Sequence, residues 1–277
     1  MRKLPDELWI EIVSYLIDNL EDTIHSQLVC PPTIVERTLH DRTIVKLREY
    51  DDLQWGRHFG EHIRRVCVEG AGGVLENLRH FTADIAELDI VGIPAANYTL
   101  YTMPSLKKLT MSNIMQSRGF GTLHMEPQPN LKVFHVVSFG DSLGSFKAIM
   151  YYARVKFPKL EHLSLCNMNY MHLPNLATLR TLTIEQGCGT LGPQTQSYLT
   201  YFEVKNGCET SLAHLNFPRL ETLVIDNCPN LSILHAFPSL QTMTIVNPSN
   251  WQILQTHASK DMIWSNNNNT LAGYRKQ

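Results

Sequence analysis

Twelve histidines and six cysteines are the residues of this 277-residue chain best equipped for chemistry, so their spacing is the first thing to read. His162 and Cys166 are four apart, which in a strand puts them on one face but well separated. Cys188, Cys208 and Cys228 recur every 20 residues, a period that stacking in neighbouring coils explains without a metal. A zinc site needs ligands that converge on one point, so these thiols read as small buried apolar groups. Cys30 and Cys67 complete the set, with no CxxC pair and no disulfide framework. The glycine-rich "EGAGG" (69–73) lacks the strand, helix and acidic residue of a dinucleotide site. There is no GxxxxGK followed by Ser or Thr, no HExxH and no G-x-S-x-G elbow. Neither catalysis nor a cofactor or metal is expected.

The elements that position these residues come from a repeat. The spacing L-x-x-L-x-L appears at "IRRVCV" (63), "IAELDI" (85), "LKKLTM" (106), "LKVFHV" (131), "LEHLSL" (160), "LRTLTI" (179), "LTYFEV" (199), "LETLVI" (220) and "LQTMTI" (240). Successive starts are 22, 21, 25, 29, 19, 20, 21 and 20 residues apart. Such a period predicts a leucine-rich-repeat solenoid: an α/β horseshoe of about nine short repeats with a parallel sheet on its concave face. Positions four and six of each copy point inward and position one fills the coil, so neighbours must stack to bury them. Asn113, Asn167, Asn206, Asn227 and Asn247 occupy the eighth position, where a side-chain amide can bond backbone groups as the chain leaves the sheet. "MPSL", "QPNL", "FPKL", "LPNL", "FPRL" and "FPSL" place a proline ahead of the strands, implying short turns on the convex side. The longest step contains "SLGSFKAIMYYARV" (142–155), in which Leu143, Phe146, Ile149, Met150 and Ala153 share a helical face. The preceding step has an enlarged loop at 111–129.

Composition sets the outer bounds. At 43% hydrophobic and 18% charged, the chain can build a sizeable core. A net charge of −2 argues against a protein made to neutralise a nucleic-acid backbone. Residues 1–62 hold 12 acidic and 7 basic side chains, against 14 and 17 in the remainder, which points to two functional parts. No apolar run is long enough for a membrane span, and Asp6, Glu7 and Glu11 interrupt any signal-peptide core. Cytoplasm or nucleus is the expected location, with neither nucleic acid nor membrane as partner.

The first of these parts opens with "LPDELWIEIVSYL" (4–16). Leu8, Ile12 and Leu16 form one stripe and Trp9, Val13 and Ile17 another, so a helix here has two surfaces to bury. "DTIHSQLVC" (22–30) and "TIVERTLHDRTIVKLREYDDL" (33–53) read as a second and a longer third helix. Leu4, Pro5, Glu7, Leu8, Ile12 and Leu16 match, position by position, the opening of an F-box, and Val29 and Cys30 match the end of its second helix. The chain thus resembles F-box proteins with leucine-rich repeats, although "PPTIVERTL" departs from the motif's second half.

The resemblance implies a non-catalytic substrate receptor of a Skp1–cullin–F-box ubiquitin ligase. In that reading Leu4, Pro5, Leu8, Ile12, Leu16 and Val29 meet the Skp1-like adaptor, which links to a cullin. The implied domains are an F-box-like three-helix unit (1–45), a linker or cap helix (46–62), the solenoid (63–248), a C-terminal cap (249–264, with Trp251 and Trp264) and a mobile tail (265–277). The alternative is a leucine-rich-repeat scaffold outside any ligase, with 1–62 as a solenoid cap. Either way the concave face, made by positions three and five of each repeat, holds a target protein. His135, His162 and Tyr201 are its expected anchors, because large planar groups make strong contacts.

Overall fold

The computed structural model describes residues 44–47, 64–70, 75, 78, 85–95, 98–116, 123–139, 149–167, 173–185, 194–206, 215–228, 237–246, 262–266 and 269–271. In chain order these form β1 (Ile44–Leu47), β2 (Arg65–Glu69), β3 (Glu87–Val91), β4 (Pro94–Ala95), β5 (Tyr98–Leu100), β6 (Lys108–Gln116), β7 (Leu123–Met125) and β8 (Val133–Phe139). A short helix α1 (Ala153–Lys156) precedes β9 (His162–Cys166), β10 (Thr181–Glu185), β11 (Gln194–Thr195), β12 (Tyr201–Lys205), β13 (Leu215–Asn216), β14 (Thr222–Asp226), β15 (Thr242–Val246), β16 (Met262–Asn266) and β17 (Asn269–Leu271). The principal sheet has the order β1-β2-β3-β6-β8-β9-β10-β12-β14-β15-β16-β17, and only its last pairing is antiparallel.

Each strand alternates because its two faces meet different surroundings. In β10, β12 and β14 the second and fourth residues are buried and the others half-buried. Leu182, Phe202 and Leu223 thus stack in one internal column, and Ile184, Val204 and Ile225 in the next. The first position of each copy, such as Leu160, Leu179 and Leu199, is fully buried from the turn side. Every such side chain contributes about 1.5–3 kcal/mol when stacked between neighbours. Aromatic rings fill the wider places: Phe134 against Phe157 at 5.5 Å, and Phe217 between Phe202 at 5.3 Å and Phe237 at 6.1 Å.

Two backbone devices hold the strands in register. Where a strand begins, one carbonyl accepts two N–H groups from the next coil: Arg64 O from Ala86 and Glu87, Ala86 O from Lys107 and Lys108, and so on through Glu221 O. At the eighth position of six copies, the chain passes through a left-handed residue. Gly70 and Gly92 take φ of 71° and 64°, and Asn113, Asn167, Asn206 and Asn227 take 51° to 56°. Glycine carries no Cβ penalty there, and asparagine is among the few other residues that tolerate the conformation. The eighth-position residues Asn113, Asn167, Asn206 and Asn227 are therefore conformational, while Asn247 lies outside the described residues. Their N–H groups pin the next strand, as from Asn167 N to Glu185 O at 2.8 Å and Asn206 N to Asp226 O at 2.9 Å. Asn206 Nδ2 also donates to Glu185 Oε1, and Asn227 Nδ2 to Asn206 Oδ1.

The prolines occupy β-turns. Leu106 N donates to Met103 O, Leu160 N to Phe157 O, and Leu220 N to Phe217 O, with the proline second in each turn. "LPNL" does not share this role, since the corresponding turn runs from Leu176 to Leu179. Two glutamines hold the place taken elsewhere by phenylalanine, and both are fully buried. Gln128 accepts from Met103 N at 3.0 Å and donates to Tyr101 O at 2.8 Å. Gln196 repeats this one coil back, with Leu176 N at 3.0 Å and Pro174 O at 2.8 Å.

The α/β leucine-rich-repeat horseshoe is corrected by this architecture. The chain is a mostly parallel β-solenoid in which helix, among the described residues, is confined to short pieces such as α1. Its return paths carry small parallel pairs instead: β5 with β7, β11 with β13, and β4 with β6. The reason is reach. Once strand and turn are taken from a 20-residue period, about ten residues remain, spanning roughly 33 Å extended but only about 15 Å as helix.

Other expectations are corrected locally. Ile44–Leu47, read as part of the third helix, is a strand paired with β2. Part of the 111–129 loop belongs to β6 and β7. Within 142–155, Ile149, Met150 and Ala153 are buried together, while Leu143 and Phe146 lie outside the described residues. At the other end, β16 and β17 stand where the close of a cap and a mobile tail are expected.

Replacing Gln196 with Leu strands a buried N–H and a buried carbonyl, and the loss should be about 1–3 kcal/mol, read as a lower urea midpoint. Asn206→Val should cost roughly 1–2 kcal/mol from backbone strain alone, whereas Asn206→Gly should cost less.

Candidate functional site

The outward positions of the principal sheet form one continuous open face. Position three reads Arg65, Glu87, Lys108, Val133, His162, Thr181, Tyr201, Thr222 and Thr242 along the register, and position five runs beside it from Cys67 to Thr244. The charges on this face are largely matched. Arg65 meets Glu87 at 3.3 Å and Lys205 meets Glu203 at 3.0 Å.

Two of the expected anchors come together. His135 lies opposite Ser164, and His162 opposite Val133, so the imidazoles are diagonal neighbours on β8 and β9. Strand spacing and rise put their Cα atoms about 8 Å apart. His162 is exposed and His135 half-buried. Burial lowers the pKa of His135, Lys108 and His162 lower it further, and Asp89 works against them. The imidazole is therefore neutral at physiological pH, offering one donor and one acceptor. Tyr201 is two strands from His162, with Thr181 between them. It belongs to a second cluster instead.

In that cluster Glu203 gathers the polar groups. Thr183 Oγ1 donates to it at 3.4 Å and Lys205 pairs with it at 3.0 Å. Burial first, then the Glu203 charge, raises the pKa of Tyr201, so the phenol stays protonated as a donor. The hydrogen bond to Glu203 holds the Lys205 ammonium above its ordinary range. A carboxylate already engaged by these two donors is poorly placed to act as a general base. The arrangement fixes side chains for contact. Sequence reading named Glu203 only within its column and overlooked Lys205 and Glu185, because the L-x-x-L-x-L spacing stops one residue before β10 and β12 do.

His162 and Cys166 occupy the two ends of β9, too far apart to share a ligand. Cys228 is buried, and its Sγ donates to Asp226 O at 3.2 Å. Cys30, Cys188 and Cys208 lie outside the described residues. Among the described residues, no three His, Cys, Asp or Glu side chains converge on a point.

Compared with known proteins, the chain matches no family model, no curated protein and no solved structure. The resemblance to F-box and leucine-rich-repeat proteins is overturned by that result and by the β-solenoid itself. With it falls the role of substrate receptor in a ubiquitin ligase or a leucine-rich-repeat scaffold. Proline at a helix start, acids in the first turn and apolar residues at four-residue steps suit any amphipathic helix. Alternating apolar residues at a 20-residue period suit any parallel solenoid of that coil length. Leu4, Pro5, Leu8, Ile12, Leu16 and Val29, named for adaptor contact, lie outside the described residues, so the fold gives them no placement.

His135 links the face to pH. Its folded-state pKa is lowered, so the unfolded chain takes up the proton first as pH falls. Its contribution to stability is whole above pH about 6.5 and is lost as pH drops through the window below. His135→Gln should flatten the fall in urea midpoint between pH 7 and pH 5.

Proposed function

We propose that this chain is a non-catalytic recognition module that binds a partner protein across the open face of its principal sheet, around His135, His162, Thr181 and Tyr201. The observation that carries the reading is the alternation itself. In β10, β12 and β14 one face is spent on the core, and the other presents a polar surface held rigid by the backbone ladder. Rigid side chains lose little entropy on binding. Tyrosine and histidine supply planar contact area, and the threonines between them supply hydrogen bonds.

Matched charges favour a protein over a nucleic acid. A phosphate backbone calls for a run of unpaired cations, whereas Arg65 and Lys205 on this face each meet a glutamate. The Tyr201–Glu203–Lys205 cluster supports a binding role over a catalytic one, since its acid is already engaged by Thr183 and Lys205. Cytoplasm or nucleus is the compartment that goes with six cysteines lacking paired spacing.

The test compares proteins retained by wild-type chain, by a His162→Ala, Tyr201→Ala double variant, and by a Tyr151→Ser, Tyr152→Ser control on the helical side. A partner set lost at least tenfold from the first variant and kept by the control is expected. Partners that persist in the first variant and vanish in the control would place recognition on the other side of the coil.

A further inference from the structure

A second site lies on the edge where the strands begin. Position two of each copy forms a column there, reading Arg64, Ala86, Lys107, Lys132, Glu161 and Arg180. Most cations along this edge are engaged. Lys132 pairs with Glu161 at 2.9 Å, Arg180 and Arg219 pack on the Tyr198 ring at 5.5 and 4.7 Å, and Lys159 donates to Asn130 Oδ1 at 2.6 Å. Arg64 and Lys107 differ, because neither has an ion-pair partner among the described residues.

These two cations flank a cleft of about 300 Å³ lined by Arg64, Ala86, Pro104, Ser105, Lys107 and Asn130. Its origin is a size step in the column. Arg64 and Lys107 are two coils apart, roughly 10 Å at the usual strand spacing, and the residue between them is alanine. The side chain that would fill the gap is absent, and the turn Met103–Leu106 closes one wall. Asn130 closes another, held by its own bond from Nδ2 to Pro104 O at 2.7 Å and by Lys159 on its Oδ1. Among the described residues, no acidic side chain lines the cleft. The carbonyls of Arg64, Ala86 and Lys107 are each occupied by two N–H groups, so they turn no unpaired acceptor toward it.

We infer that this cleft binds an oxyanion of the phosphate class, bridged between the Arg64 guanidinium and the Lys107 ammonium. Arginine supplies a fork that matches two phosphate oxygens, and lysine supplies a point charge on the opposite side. The site is separate from the open face and does not rest on the role proposed for it.

The experiment titrates the full chain with phenyl phosphate and with inorganic phosphate at constant ionic strength, followed by calorimetry. Saturable binding is expected, tightening between pH 5.5 and 7.5 as the second proton of the ester leaves at about pH 6. Ala86→Glu places a carboxylate between the two cations and should weaken binding at least tenfold. Ala86→Gln, of the same size without the charge, controls for blockage and folding and should bind more tightly than Ala86→Glu by that factor. An Arg64→Gln, Lys107→Gln double variant should abolish saturation. Tighter binding of phenyl phosphate assigns the site to an organic monoester, and equal binding assigns it to free phosphate. Absence of saturation in the wild type, or equal affinity in the Glu and Gln variants, overturns the proposal.

Discussion

Register is the constraint on which the molecule depends. An apolar strand five residues long buries nothing by itself, and each coil must bring its next strand back beside the last with no slip. A slip of one residue would turn every inward side chain outward. The chain prevents this at the start of each repeat strand and, in six of them, again near the finish. At the start, a carbonyl grips two successive N–H groups of the following coil, unbroken from Arg64 to Glu221. At the finish, a left-handed Gly or Asn aims its N–H at the next strand, as from Gly70 to Val91 O. The open face inherits its order from these clamps. His135 and His162 are neighbours because β8 and β9 cannot slide.

Much of this architecture is written in the residues. The nine copies of the spacing place β2, β3, β6, β8, β9, β10, β12, β14 and β15, and positions one, four and six are the buried ones. What spacing leaves unspecified is the return path. Periodicity in Leu and Ile reports which residues face inward, and coils closed by helices or by extended segments satisfy that equally. Coil length narrows the choice, since about ten return residues reach roughly 33 Å when extended and only about 15 Å as helix. The Asn column was visible as a pattern, but amide chemistry hid its reason. Gly70 and Gly92 share the position and have no side chain to donate, so the common property is backbone conformation.

The face was legible in its membership and less so in its grouping. Columns three and five follow from alternation, yet the partners of Tyr201 depend on register across three strands. Gln128 and Gln196 show the same limit from inside. Each sits where Phe157, Phe217 and Phe237 fill the core elsewhere, and polar residues at apolar positions read as irregularities. Their amides supply the donor and acceptor that the preceding coil's backbone needs, which phenylalanine cannot do. Helical patterning at the N-terminus misled for the opposite reason, because a short motif built from general helix rules matches many unrelated segments.

The direction of the last strand has a consequence for the protein in crowded solution. Every pairing from β1 to β16 is parallel, and such a stack could in principle be lengthened by another molecule's coil. At the far end β17 runs back against β16 for only three residues. A further parallel rung finds no template there, since the terminal strand points the wrong way and is too short to seat one. Short and reversed edges are how sheet proteins avoid growing into filaments. The reversal therefore limits at that end an architecture that, by its own logic of stacking, has no natural length.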